Sequence, residues 1–214
     1  MFVVDKKKNS LSAEAYRGIK TNLEYSSADK KLKTIVVTSS DPAEGKSTVC
    51  GNLAYTLSQG NTKVLIIDAD LRKPTLHRRF KVDNEVGLTD LLIGKVDYTK
   101  AIYKVNDNIH LMTSGQKTPN PAEIVSSEAM ENLLQQYKEY YDYIIIDTPP
   151  VLSINDGRIL AAKCDATILV TKAGKTKKQN ILNAYKELER VNANVVGSII
   201  NGVKDSSDGY YYYY

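Results

Sequence analysis

An unbroken apolar run, Thr34-Ile35-Val36-Val37-Thr38, leads directly into Ser39-Ser40-Asp41-Pro42-Ala43-Glu44-Gly45-Lys46-Ser47-Thr48. A helix-compatible segment, Val49 to Gln59, leaves it. Strand, tight loop and helix in that order are the setting in which Gly-Lys-Ser becomes a phosphate cradle. Backbone N–H groups of such a loop converge on one point, and the start of the following helix adds partial positive charge. In this arrangement Lys46 would reach the outer phosphates and the Ser47 hydroxyl would hold a magnesium ion. The match to G-x-x-x-x-G-K-[ST] is incomplete, because Ser40 stands at the first glycine position. From these ten residues alone, a Gly-Lys pair in an ordinary strand-to-helix turn is the alternative.

What favours the phosphate loop lies downstream. Lys63-Val64-Leu65-Ile66-Ile67-Asp68 is a second apolar run, ending in an acid and followed by Asp70. Tyr143-Ile144-Ile145-Ile146-Asp147 is a third, stopped by Thr148-Pro149-Pro150. Continuous apolar runs between helical stretches predict parallel strands buried on both faces. Ligands of such sheets gather at the carboxyl ends of the strands, so Asp68, Asp70 and Asp147 are expected beside the loop. One aspartate ending a strand is common, since Asp initiates turns. Two such strands in a chain with Gly45-Lys46-Ser47 point instead to a site for ATP or GTP. An acid after a strand in this order is the Walker B arrangement, in which Asp147 holds magnesium, through water because that ion dehydrates reluctantly. With the metal present, a second carboxylate is available to orient a nucleophile's proton.

The rest of the chain continues the alternation. Helices are predicted over 10–25, 47–57, 76–80, 86–92, 126–141, 155–163 and 177–192, and strands over 33–39, 108–113, 166–171 and 195–201. Leu11, Ala15, Ile19 and Leu23 recur at helical spacing in the first helix, and Met130, Leu133, Leu134 and Tyr137 share one side of the fifth. Glu14, Arg17 and Lys20 lie three apart, either as a solvated ion-pair stripe or as an intermolecular contact. The expected fold is α/β, a mostly parallel central sheet with helices on both faces. No composition break divides residues 1–203, and 204–214 lacks periodicity and reads as a flexible tail.

Among 214 residues there are 15 Tyr, 2 Phe and no Trp, and the last five residues are Tyr210, Tyr211, Tyr212, Tyr213 and Tyr214. Packing does not explain that cluster. A net charge of +4 is compatible with a nucleotide or a membrane surface and too weak to argue for nucleic acid. No apolar run approaches the ~20 residues that span a bilayer. The N-terminus lacks the features of a signal peptide, and its basic residues Lys6–Lys8 read as a solvated tail rather than a lipid contact. Cys50 and Cys164 show no metal or redox spacing, so they are expected to be buried thiols of a cytoplasmic protein.

The stretches 39–48, 65–74 and 144–150, with the terminal tyrosines, resemble the Walker A, Walker A′ and Walker B motifs and the tail of bacterial tyrosine kinases. These are the CpsD/CapB-type enzymes of capsule and exopolysaccharide synthesis, with a P-loop NTPase fold. The resemblance implies an ATP- and magnesium-dependent protein-tyrosine kinase that autophosphorylates Tyr210–Tyr214 in trans. It implies that Ala43, Glu44, Gly45, Lys46, Ser47 and Thr48 cradle the nucleotide. Ser47, Asp68 and Asp147 would serve the metal, with Asp68 as base or orienter of the tyrosine hydroxyl and Asp70 and Asp147 arranging the metal shell. A tyrosine pKa of about 10 makes such a proton acceptor useful. Asn201, ending the last strand, matches an adenine-contacting asparagine of related ATPases. The family's Glu-x-x-Arg-x-x-Arg oligomerisation motif matches Glu14 and Arg17, but Lys20 lacks the third arginine's bidentate fork. A homo-oligomeric ring, a membrane-anchored activator of the polysaccharide co-polymerase kind, other tyrosine substrates and recruitment to the inner membrane face are implied as well.

Partition and division-site ATPases are the nearest rival. They carry a signature lysine where this chain has Asp41, and they lack a tyrosine tail. A nucleotide-binding regulatory subunit of the export machinery is a third reading.

Overall fold

Each of the three apolar runs alternates between two cores. Val36, Leu65, Ile67, Ile144 and Ile146 pack into one, while Ile35, Val37, Val64, Ile66 and Ile145 pack into the other. This is the period of two expected of strands covered on both faces. All ten side chains are fully buried, each contributing roughly 1.5–3 kcal/mol.

The computed structural model describes residues 2–7, 9–26 and 31–203. The chain begins with α1 (Val3–Lys6), α2 (Leu11–Ser26), β1 (Thr34–Ser39), α3 (Lys46–Leu57) and β2 (Val64–Asp68). Next come α4 (Leu76–Phe80), α5 (Leu88–Leu92), α6 (Tyr98–Ala101), β3 (Ile102–Lys104) and β4 (Ile109–Met112). Two helices, α7 (Pro121–Ser126) and α8 (Glu128–Tyr140), precede β5 (Tyr143–Asp147). The fold closes with α9 (Asp156–Lys163), β6 (Ala166–Lys172), α10 (Lys178–Arg190) and β7 (Val195–Asn201). The strands form one seven-stranded sheet in the order β3-β4-β2-β5-β1-β6-β7. Every pairing is parallel except β3 with β4. The expected α/β fold is therefore present, with α1, α2 and α3 over one face and α8, α9 and α10 over the other.

Three differences from the sequence reading have local causes. The helix read over 126–141 is α8, which starts only at Glu128 because Ser127 is extended (ψ 156) and its side chain accepts from the Met130 N–H to cap it. Pro121, read as part of a turn, is the first residue of α7, a position its missing N–H suits. Strand β3 has only three residues, half-buried at the sheet edge, and is too short to show alternation. The stripe on α8 is buried as expected at Met130, Leu133, Leu134 and Tyr137.

The N-terminal segments depart further. On α2 the buried residues are Ala13, Tyr16 and Leu23, while Leu11 is 73% exposed. The buried face is thus turned from the anticipated stripe, which only Leu23 shares in full. Phe2 and Val4 are buried, and the Val4 N–H donates to Asn52 Oδ1 at 3.1 Å. A β-carbon at Gly51 would lie 1.9 Å from the Phe2 ring, so this glycine admits the first residues into the fold. Met1 and Lys8 lie outside the described residues, as do 27–30 and the anticipated tail, 204–214, with Tyr210 to Tyr214.

Candidate active site

The pleat aims both strand-end acids at one helix. Counting along β2, Val64 and Ile66 face the α3 side, so Asp68 does too. Along β5, Ile145 faces that side and so does Asp147. Strands β2 and β5 are neighbours, with Asp68 paired directly to Asp147. On the other flank of β5, Val37 of β1 pairs with Asp147. The phosphate-loop strand and both acid-bearing strands are therefore adjacent, and their carboxyl ends meet the first turn of α3.

The loop between β1 and α3 is held from inside. Ser39 Oγ donates to the Asp41 carbonyl at 2.8 Å. Ser40 Oγ donates to Glu44 Oε2 at 3.1 Å, and the Asp41 N–H donates to the same oxygen at 3.0 Å. The Thr176 hydroxyl donates to Glu44 Oε1. The buried Glu44 carboxylate thus gathers the loop around itself, and the serine that replaces the first glycine is one of its partners. Asp41 Oδ2 accepts from Asn180 Nδ2 at 2.7 Å, which ties the loop to α10. Ala43 and Gly45 have φ of +63° and +101°, left-handed values that cost a non-glycine residue about 1–3 kcal/mol. A β-carbon at Gly45 would also lie 1.9 Å from Asn201 Nδ2. That amide donates to the Glu44 carbonyl at 2.9 Å, so Asn201 rests on the shoulder of the loop. The helix then opens with Thr48 and Val49 N–H groups on the Gly45 carbonyl.

Four polar side chains meet behind the loop. Lys46 is buried, 8% exposed. Ser47 Oγ accepts from the Thr75 hydroxyl at 2.6 Å. Asp68 Oδ2 accepts from the N–H groups of Thr75 and Leu76 at 3.0 and 2.9 Å. The other oxygens, Oδ1 of Asp68 and of Asp147, are buried without a hydrogen-bond partner. Burial and the neighbouring Asp147 charge push the Asp68 carboxyl well up, against the pull of two backbone N–H groups. Burial lifts Asp147 to about 6, opposed by the Lys46 charge and the Ser47 hydroxyl. Asp70, half-buried, accepts from the Lys73 N–H at 3.0 Å and adds its charge to both acids. Cys50 is buried one turn along α3, its thiol pushed up by burial and by Asp147 and Asp68. Both cysteines are free, and Cys164 is half-buried.

Unpartnered carboxylate oxygens beside a serine hydroxyl are hard donors of the kind magnesium takes. Among the described residues, no three His, Cys, Asp or Glu side chains gather into a metal cage. Phosphate oxygens and water would complete such a shell.

Three partners were not legible in the sequence. Asp156, buried at the start of α9, receives Arg72 Nε at 3.0 Å and Nη2 at 3.4 Å, which latches the segment after Asp70 to the one after Pro150. The basic run at 72–73 hints at Arg72 but not at its acid. Thr75 and Thr176 carry no motif. Far from the site, Glu14 and Arg17 of α2 form an ion pair with each other, and Lys20 lies 4.0 Å from Glu24. The structure gives these three residues partners within their own helix.

A family described as an AAA domain matches residues 32–200. The tyrosine-protein kinase YwqD of Bacillus subtilis (strain 168) is 43% identical over 206 residues, 96% of this chain and 87% of that protein. The putative tyrosine-protein kinase CapB of Staphylococcus aureus is 36% identical over 216 residues, covering 100% of this chain and 94% of that one. Among solved structures, the kinase domain of the Escherichia coli tyrosine kinase ETK superposes with a TM-score of 0.92 at 32% identity, covering 100% of this chain and 85% of that one.

Proposed function

This chain belongs to the bacterial tyrosine-protein kinases, built on an AAA-type P-loop fold, and from that premise we propose how its site performs ATP-dependent transfer to tyrosine in capsule or exopolysaccharide synthesis. The carrying observation is the direct pairing of Asp68 with Asp147 beneath the turn that presents Lys46 and Ser47.

In this reading residues 1–203 act as one kinase domain and 204–214 carry the acceptors. Backbone N–H groups of 43–48 and the Lys46 ammonium bind the ATP phosphates. The loop is preorganised by the Glu44 network, so little rearrangement opposes binding. Asn201, already against the loop, borders the base. Ser47 and Asp147, with Asp68 beside them, hold magnesium, which when bound neutralises charge on the phosphates. Asp68 takes or orients the proton of the incoming tyrosine. Its Oδ2 is fixed by two N–H groups, which leaves Oδ1 available, and burial raises its affinity for a proton. A basic group is useful here because a free tyrosine hydroxyl loses its proton only near pH 10, about three units above neutrality.

The acceptors are Tyr210 to Tyr214 of a neighbouring subunit, with other protein tyrosines as further substrates. Family resemblance supports a ring built through Glu14, Arg17 and Lys20, and a membrane-anchored activator. Among the described residues no helix is long and apolar enough to cross a membrane. By the same resemblance, recruitment to the inner membrane face would pass through that activator.

The deciding experiment is phosphosite mapping by mass spectrometry after incubation with magnesium-ATP and an activator segment. Phosphotyrosine within 210–214, abolished by Lys46→Met, is the expected result. Nucleotide binding without any phosphotyrosine there would refute the assignment.

A further inference from the structure

Thr75 stands at the N-cap of α4, where a threonine side chain ordinarily accepts from the backbone of the first turn. Its side chain makes no capping bond. The Asp68 carboxylate takes the N–H groups of Thr75 and Leu76. The threonine hydroxyl, unused as a cap, donates to Ser47 Oγ at 2.6 Å. One residue thereby joins the loop after β2 to the loop after β1. Its main chain holds Asp68 and its side chain holds Ser47.

We propose that Thr75 is a positioning residue of the phosphoryl-transfer site, its hydroxyl fixing Ser47 in the orientation that receives magnesium-nucleotide. The inference rests on Ser47 being the hydroxyl ligand proposed above. A serine hydroxyl has one hydrogen to donate and two lone pairs. With Thr75 donating into one lone pair, the Ser47 hydrogen must point elsewhere. Asp147 is the acceptor at hand, its Oδ1 buried and without a hydrogen-bond partner. One lone pair then remains for a cation. Without the threonine hydroxyl, Ser47 is free to occupy other staggered rotamers, and one end of this relay is lost. The Thr75 and Leu76 N–H groups on Asp68 belong to the main chain, so side-chain variants test the hydroxyl alone. Valine keeps the shape and removes the donor; serine keeps the donor and removes the methyl.

The test titrates N-methylanthraniloyl-ADP into the full chain with and without magnesium, for wild type, Thr75→Val, Thr75→Ser and Ser47→Ala. For Thr75→Val, metal-free affinity should be unchanged, while the magnesium enhancement falls roughly three- to tenfold, the worth of one hydrogen bond. Thr75→Ser should stay within about twofold of wild type, because its hydrogen bond is retained. If Thr75→Val does not fold, Thr75→Ala is read by the same criterion. An undiminished enhancement in the donor-less variant overturns the proposal. Equal losses with and without magnesium overturn it too, since they mark a merely structural role. Should Ser47→Ala leave the enhancement intact, the Ser47 assignment itself falls. Should Ser47→Ala remove it while Thr75→Val does not, only the Thr75 inference falls.

Discussion

Asp147→Asn should make the fold more stable while it abolishes phosphoryl transfer. The wild-type carboxyl is buried, with Oδ1 lacking any hydrogen-bond partner. Its pKa is lifted from 3.8 to about 6. Native protein therefore holds this proton more tightly than the unfolded chain does. The group's contribution favours folding below pH ~4 and is progressively lost as pH rises to about 6. Above the raised pKa that loss amounts to on the order of 3 kcal/mol, the cost of keeping the acid ionised in the fold. The attraction of Lys46 is already contained in that net shift. Asparagine removes the charge and relieves Asp68, whose own carboxyl Asp147 pushes up. Its new N–H groups, without acceptors in the same pocket, return about 1–2 kcal/mol of this. The expected net gain is about 1–2 kcal/mol at pH 7.5, or roughly 2–8 °C in melting temperature for a chain of this size. Thermal melts and urea titrations without nucleotide, at pH 5 and 7.5, measure it. The margin over wild type should shrink at the lower pH, and added magnesium-ADP should stabilise wild type more than the variant. A variant less stable than wild type at pH 7.5, or a margin that ignores pH, would refute this electrostatic reasoning.

Gly45→Ala should lose at least about tenfold in nucleotide affinity by calorimetry and about 1–3 kcal/mol of stability, because a left-handed φ is imposed on a residue with a β-carbon. That new atom also meets Asn201 Nδ2. Met130→Ala empties a fully buried position under α8 and should cost about 2–5 kcal/mol in urea denaturation, with kinase activity kept at low temperature. Arg17→Ala should yield smaller species in size-exclusion chromatography with light scattering. An unchanged mass would mean that its pairing with Glu14 is a surface ion pair and nothing more.

Much of this architecture was legible because strands buried on both faces advertise themselves. Ile144-Ile145-Ile146 permits no other economical reading, and each such run ended at the sheet edge that ligands use. The edge strand β3 and the first helix were less legible for a shared reason. Ile102-Tyr103-Lys104 is too short for periodicity, and Val3–Lys6 is placed by Phe2 entering a gap left by Gly51, a contact 49 positions away that no local pattern encodes. The rotation of α2 has the same origin. Its buried face is chosen by what α3 offers, including Asn52 for the Tyr16 hydroxyl, rather than by its own apolar stripe.

The site divides along a similar line, and the division is informative about how the chemistry is built. The facing of Asp68 and Asp147 towards α3 follows from counting by twos along β2 and β5, so the charged centre is implied by the strands alone. The groups that orient that centre are not implied by anything local. Thr75 meets Ser47 across 28 residues and Thr176 meets Glu44 across 132, each through a hydroxyl whose partner is set by how two loops approach. Ser40 shows the consequence. By motif it is a missing glycine, yet its hydroxyl feeds the carboxylate that draws the loop together. The backbone freedom a glycine would have supplied is replaced by a fixed internal network. A loop held in this way should lose nucleotide affinity when Glu44 is shortened or neutralised, because its buried carboxylate is what Ser40, the Asp41 N–H and Thr176 converge on.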